Sequence, residues 1–139
     1  MKLRALAGPA VAVALAHAGC GGSTGPSPVE QTVSRTVGSG EAAAAATVSV
    51  GSGGSGTVEV TVDWKVAGNN IDVYVATGDC FEIPTALSAW SCVAVAKAEG
   101  ETARPEKVAF PGSAGASYKV FVVNHGPAPD TVTVMLSVR

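Results

Sequence analysis

Charged, aromatic and histidine residues are scarce in this chain, and their scarcity excludes several kinds of site. Only 14% of the 139 residues are charged and 5% are aromatic, and the two histidines are His17 and His125. A serine or cysteine nucleophile needs a base within hydrogen-bonding reach, and His125 stands in a turn-like stretch between Asn124 and Gly126. No G-x-S-x-G sequence joins a strand-like segment to a helix-like one. The sequence therefore predicts no catalytic residue and no enzymatic activity.

The N-terminal residues predict a signal for export. Lys2 and Arg4 precede an apolar stretch over residues 5–16, which is shorter than the roughly 20 residues that span a bilayer. The following LAHAGCGGS resembles a bacterial lipoprotein signal, which implies residues 1–19 as signal peptide and a lipid on Cys20. His17 stands where that motif prefers an aliphatic residue. The alternative is cleavage after Ala18, which would release a soluble periplasmic or secreted protein.

The segment after Cys20 and the charge of the exported chain bear on its partners. The stretch GGSTGPSPVEQ is rich in Gly, Ser and Pro, which predicts a flexible tether over residues 20–32. Loss of Lys2 and Arg4 leaves 7 of the 9 basic residues against 11 acidic ones, a formal charge of −4. This surface lacks the basic face that nucleic acid requires. The expected partners are the membrane, through the lipid, and a cell-surface polysaccharide or an envelope protein.

Two of the three cysteines lie close together in GDCFEIPTALSAWSC. Export places Cys80 and Cys92 in an oxidising compartment, where a disulfide forms and persists. Lipidation of Cys20 would leave these two as an even pair. Tetrahedral zinc would need two more Cys or His ligands, and only His125 remains. We therefore predict a Cys80–Cys92 disulfide that holds the intervening turn, including Trp90, against the edge of a sheet.

The rest of the chain predicts consecutive β-strands. Residues 57–64 and 131–138 alternate strictly between apolar and polar side chains, as half-buried strands do. Residues 70–77 alternate as well and should form a hairpin with residues 57–64, whereas residues 118–124 are continuously apolar and should be central or covered on both faces. Weaker candidates are residues 31–37, 43–50, 92–97 and 107–110. These about eight strands predict an all-β domain over residues 33–139, a two-sheet antiparallel sandwich of jelly-roll or immunoglobulin-like type, with a single barrel as the alternative.

The order of these segments resembles a known family. VTVDWKVAGNNIDVYVATGDC, ARPEKVAF and ASYKVFVVNHGPAPDTVTVMLSV, within residues 57–138, are similar to the bacterial pre-peptidase C-terminal domain. Asn70 and Asp72 fall where that family often has two aspartates, Tyr74 matches its tyrosine, and Tyr118 and Asn124 match its last conserved strand motif. The resemblance implies a jelly-roll-like sandwich with an accessory, non-catalytic role in a secreted enzyme system, although no peptidase accompanies it here.

Two kinds of binding site remain open. Calcium takes six to eight oxygen ligands, and Asp63, Asn70, Asp72 and Asp79 lie on or beside the expected hairpin, so a calcium-dependent adhesion module is one alternative. No other metal or cofactor is expected. A carbohydrate-binding module is another alternative, and Tyr74 and Trp90 are its candidate ligand contacts because sugars stack on exposed rings. The bland interpretation is that these six residues are ordinary turn, surface and core residues.

Overall fold

A computed structural model describes residues 29–81, 90–100 and 103–139, and these residues form eight β-strands. Each strand falls on a segment whose apolar pattern predicts one, including the alanine-rich stretch, which pairs as a strand. The strands are β1 (Val29–Val37), β2 (Ala42–Ser49), β3 (Gly56–Asp63), β4 (Ile71–Thr77), β5 (Ala94–Ala98), β6 (Glu106–Gly112), β7 (Ser117–Asn124) and β8 (Asp130–Val138).

The strands form two antiparallel four-stranded sheets that pack face to face. Sheet A has the order β1-β8-β3-β6, and sheet B has the order β2-β7-β4-β5. Only the β4–β5 connection joins neighbours within one sheet, and every other connection crosses to the opposite sheet. This arrangement is a jelly roll. It confirms the predicted two-sheet sandwich and replaces the single-barrel alternative.

The hairpin predicted between residues 57–64 and 70–77 is wrong. Strand β3 pairs with β6 and β8 in sheet A, whereas β4 pairs with β5 and β7 in sheet B. The segment between β3 and β4 therefore crosses between sheets. Alternation identifies which side chains share a face, but it carries no information about which strand lies alongside. The predicted central position of residues 118–124 is confirmed, because β7 lies between β2 and β4.

The main core fills the space between the sheets. In β3 every second side chain is buried, and Trp64, which follows the strand on the same face, is also buried. Phe110 and Tyr118 meet there edge to face at 4.9 Å between ring centroids. Most of the other residues are β-branched valines, which suit a pleated, half-buried surface. The buried valines of this core are Val37, Val48, Val50, Val58, Val60, Val62, Val73, Val75, Val108, Val120, Val122, Val132 and Val134.

The sandwich begins earlier than predicted. Residues 29–32 belong to β1 and pair with β8, since Val29 lies opposite Val138 and Gln31 opposite Leu136. Of the tether predicted over residues 20–32, residues 29–32 are therefore strand instead, and residues 20–28 lie outside the described residues. The predicted signal peptide and Cys20 lie outside the described residues. Among the residues described, no helix has the length and apolar character to cross a membrane.

Candidate functional site

The outer face of sheet B carries a second apolar cluster, which we call the outer cluster. Alternation turns three β4 side chains, Asp72, Tyr74 and Ala76, away from the main core, yet all three are buried. Cys80, Trp90 and Cys92, which lie between β4 and β5, pack against Tyr74 and Ala76, and His125 lies beside Asp72. The outer cluster consists of buried Tyr74, Ala76, Cys80, Phe121 and Val123, with half-buried Ala42, Trp90, Cys92 and Ala94 packed against them.

The predicted disulfide is confirmed, and it holds this covering segment. Cys80 and Cys92 are bonded, with their Cα atoms 5.8 Å apart. Trp90 packs edge to face on Tyr74 at 5.9 Å and on Phe121 at 5.4 Å between ring centroids. Trp90 therefore lies on the outer face of sheet B, over β4 and β7, and not against the predicted sheet edge. The bond also indicates an oxidising, extracytoplasmic location.

Tyr74 is placed differently from the exposed ligand contact that the sequence suggests. Only 2% of it is accessible, and its ring lies under Trp90. A sugar cannot stack on a covered ring, so the prediction that Tyr74 contacts a ligand through its ring is corrected. Trp90 is half-buried, and its ring is engaged by two aromatic neighbours.

The hydroxyl of Tyr74 instead organises a group of polar side chains, which we call the polar network. It donates a hydrogen bond to Glu99 Oε1 at 2.7 Å, and Asp72 Oδ2 lies 3.4 Å away. His125 Nε2 lies 3.1 Å from the same Asp72 oxygen. Lys97 Nζ pairs with Glu99 Oε2 at 2.9 Å. Residues from β4, from β5 and the turn after it, and from the β7–β8 loop thus meet at one place.

The electrostatics of the polar network favour a fixed arrangement of charge. Burial and the hydrogen bond to Glu99 raise the pKa of Tyr74 far above its usual value, so the phenol stays protonated. The same hydrogen bond and the one from Lys97 lower the pKa of Glu99. Asp72 Oδ1 and Asn70 Oδ1 are buried without a hydrogen-bond partner within the described parts of the chain. Buried oxygens of this kind are acceptors that a polar ligand could satisfy.

Contacts between the β3–β4 loop and the β7–β8 loop support the polar network. Asp130 accepts backbone N–H bonds from Lys65 at 3.1 Å and Val66 at 2.9 Å. Burial opposes ionisation of Asp130, but these bonds and one from Asn69 outweigh it and lower the pKa of the carboxyl group. Gly126 approaches so closely that an added Cβ would lie 2.1 Å from the side-chain oxygen of Asn69. The β3–β4 and β7–β8 loops are thereby locked together and fix the position of His125.

The four residues proposed for calcium are not brought together. Asp63 lies at the end of β3 in sheet A and pairs with Arg104. Asn70 directly precedes β4 and Asp72 is the second residue of that strand, while Asp79 follows its end and accepts a hydrogen bond from Thr77. The five residue steps of strand from position 72 to position 77 span about 17 Å. Across the described ranges, no group of three or more His, Cys, Asp or Glu side chains could hold a metal ion.

A separate feature of the covering segment is exposed apolar surface beside the disulfide. Phe81 and Val93, the residues after each cysteine, are 83% and 81% accessible. Lys119 Nζ lies 3.9 Å from the centroid of the Phe81 ring and donates to the Cys80 carbonyl at 2.7 Å. A shallow groove beside Phe81 is lined by residues 44–47 of β2, Cys80, Lys119 and Phe121.

Sequence reasoning missed most of these residues. The turn position predicted for His125 is confirmed, since His125 is exposed in the β7–β8 loop, but the sequence does not show its contact with Asp72. Lys97 and Glu99 are isolated charges in the sequence. The alternation of side chains along β5 places Lys97 and Glu99 on one face of the sheet, but the sequence does not show that this face adjoins Tyr74. Only the pairing of Tyr74 with Lys97 across the two strands supplies that information.

Comparison with known proteins supports the fold and names no family. No protein-family model matches the chain, and no curated protein matches it. Among solved structures, the crystal structure of the Yersinia pseudotuberculosis-derived mitogen is similar, with a TM-score of 0.52 and 10% sequence identity. The alignment covers 81% of this chain and 87% of the mitogen. At that identity the likeness shows a shared sandwich fold and nothing about function.

Proposed function

We propose that this chain is an exported, non-catalytic binding module, attached to the cell envelope by a lipid on Cys20, whose polar network is the ligand site. The observation that carries the proposal is the convergence of Asp72, Glu99 and His125 on one end of sheet B.

The position of the polar network suits a site that faces away from the membrane. The tether enters at Val29, which lies opposite Val138, and Val138 lies opposite Val58 near the start of β3. We call this the tether end of the sandwich. Asp72 and His125 lie at the other end, because Ile71 pairs with Asn124 while Thr77 pairs with Tyr118. A ligand in the surrounding medium would therefore reach the network without obstruction from the bilayer.

The chemistry of the network favours a hydroxyl-rich ligand. Carboxylates accept hydrogen bonds from sugar hydroxyls, and an imidazole can donate or accept them. A few convergent polar groups on a rigid scaffold set the orientation of a ligand. The Glu99 and His125 side chains are 40% and 45% accessible, while the unpartnered Asp72 oxygen is buried beneath them. We therefore propose a cell-surface polysaccharide as ligand, with an envelope protein as the alternative.

The family resemblance offers a second route to the same class of function. Relation to the pre-peptidase C-terminal domain remains a proposal that rests on the strand motifs, and it would make the chain an accessory module of a secreted enzyme system. Both Asp72 and Tyr74 of its motif belong to the polar network. A calcium-dependent adhesion module remains a sequence-based proposal that no grouping of oxygen ligands in the described residues supports.

A glycan-binding screen tests the site. The soluble chain with Cys20→Ser is compared with the same chain carrying His125→Ala or Glu99→Gln, across purified envelope polysaccharides. We expect at least a tenfold loss of affinity in each network variant, because a lost hydrogen bond to a charged group is worth about 1.5–3 kcal/mol.

The matched control is Thr32→Ala, on the exposed outer face of sheet A, which should bind as the parent does. Equal affinity in all chains would remove the network as the site. Binding to no polysaccharide, together with capture of an envelope protein that His125→Ala abolishes, would replace the ligand class while keeping the site.

A further inference from the structure

Phe81 and Val93, which we call the apolar pair, are two exposed apolar residues that flank one disulfide. Both are more than 80% accessible, whereas Val66, Val95 and Met135, the other exposed large apolar residues described, are 36%, 42% and 43% accessible. Each member of the pair follows a cysteine of the Cys80–Cys92 bond directly. Two large apolar side chains this exposed, one beside each end of a covalent bond, are candidates for an apolar contact.

The pair lies toward the tether end of sheet B. Strand β4 ends at Thr77, opposite Tyr118 at the start of β7. The Cys80 amide then donates to the Thr77 carbonyl, and the Cys80 carbonyl accepts from Lys119. Val93 precedes Ala94, which pairs with Ala76 near the same end of β4. Phe81 and Val93 are therefore near the end of the sandwich at which the chain enters from its N-terminus.

The length of chain outside the structure brings this end close to the bilayer. Nine residues lead from Cys20 to Val29, and a fully extended chain of nine residues reaches about 30 Å. A tether rich in Gly and Ser has a shorter average span, about 15–18 Å. Attachment at Cys20 would thus hold Phe81 and Val93 within reach of the lipid headgroups.

We propose that Phe81 and Val93 insert into the membrane interface as a second contact beside the lipid of Cys20. This rests on the proposed lipid attachment. Burial of the two side chains in the acyl boundary removes apolar surface from water. The orientation that results keeps the tether end against the bilayer. Asp72 and His125, at the other end of β4, then point outward.

The charges near the pair favour apolar contact over electrostatic attraction. Lys119 is held against the Phe81 ring and the Cys80 carbonyl, and Asp79 beside it is an exposed carboxylate whose hydrogen bond with Thr77 lowers its pKa. The exported chain carries a formal charge of −4. Binding to zwitterionic vesicles should therefore equal or exceed binding to anionic ones.

Vesicle flotation tests the inference without the lipid anchor. Residues 20–139 with Cys20→Ser, which contain every described strand and both apolar clusters, are mixed with phosphatidylcholine vesicles, with or without 30% phosphatidylglycerol. We expect the fraction bound by the Phe81→Ser, Val93→Ser chain to fall at least tenfold, because each buried large side chain is worth a factor of about ten or more. The control, Met135→Ser on the outer face of sheet A, should float as the parent does.

A second measurement separates loss of membrane contact from loss of folding in those variants. Phe81→Trp should show a blue-shifted emission with vesicles, and Met135→Trp should not. Equal flotation of all chains, or no shift for Phe81→Trp, would overturn the membrane contact, whatever fatty-acid labelling shows for Cys20. If the Phe81→Ser, Val93→Ser change altered the oligomeric state but not flotation, these residues would form an interface between two copies of the chain. That result would also contradict the proposal.

Discussion

At the scale of single residues, two buried carboxylates differ in whether hydrogen bonds compensate for their burial. Asp130 is buried and receives hydrogen bonds from three backbone N–H groups and from Asn69. Glu106, at the start of β6, is equally buried, and its Oε1 has no hydrogen-bond partner in the described ranges. Burial, followed by the negative charge of Asp72, raises the pKa of Glu106. Ionised Asp130 therefore stabilises the fold, whereas ionised Glu106 opposes it.

Glu106→Gln should make the protein more stable at neutral pH. The folded-state pKa of Glu106 lies above the ordinary glutamate value of 4.5, so the destabilisation is absent below pH 4.5 and grows as pH rises toward the folded-state value. Urea unfolding of both chains from pH 3.5 to 8 measures the difference. An advantage of the glutamine variant that stays constant down to pH 3.5 would show that the effect is not ionisation.

At the scale of elements, the β4–β5 connection turns one face of a sheet into a second core. Without it, the Tyr74 and Phe121 rings on the outer face of sheet B would meet water. The disulfide closes the 11 residues between Cys80 and Cys92 and brings Trp90 onto these rings. The same element carries Phe81 and Val93. It therefore covers part of the sheet and supplies the exposed apolar pair.

Replacing both cysteines, Cys80→Ser with Cys92→Ser, should lower the free energy of unfolding by about 3 kcal/mol, as expected for a closed loop of this size. That is a large part of the 5–15 kcal/mol typical of a domain. Urea unfolding followed by tryptophan emission measures it, and the Trp90 signal should shift to the red as the outer cluster loosens. Thiol titration of the denatured, unreduced parent provides the control, and two free thiols there would contradict the disulfide.

At the scale of the whole molecule, the sandwich has two ends with different chemistry. The tether end receives the chain at Val29 and carries the apolar pair. The opposite end carries the polar network, supported by the Asn69 and Asp130 contacts between loops. Antiparallel strands produce this separation because they place alternate connections at opposite ends of a sandwich. One end can therefore meet a membrane while the other meets a ligand.

Fatty-acid labelling tests the attachment on which this orientation depends. The full chain expressed in a bacterium with radiolabelled palmitate should incorporate label and fractionate with membranes, and Cys20→Ser should do neither. An unlabelled wild-type protein whose measured mass matches a chain starting at Gly19 would instead establish ordinary secretion. That outcome leaves the flotation and glycan-binding results to be judged separately.

Much of this could be predicted because the relevant physics is local. Period-two alternation marks strands, as in β3 and β8, and Gly, Pro and Asn clusters mark their ends. The disulfide followed from the compartment and the cysteine count. The burial of Tyr74 could not be predicted. Alternation shows that its side chain points away from the main core, but it does not show which residues cover that face of the sheet.

The sequence by itself determined an all-β sandwich of about eight strands with a loop closed by a disulfide. The tertiary structure decided that β3 and β4 lie in different sheets, that Tyr74 is buried, and that Asp72, Glu99 and His125 converge. The physical reason is that hydrophobic periodicity fixes which side of each strand avoids water. Non-local backbone pairing fixes which strands become neighbours, and the polar network exists only where such neighbours meet.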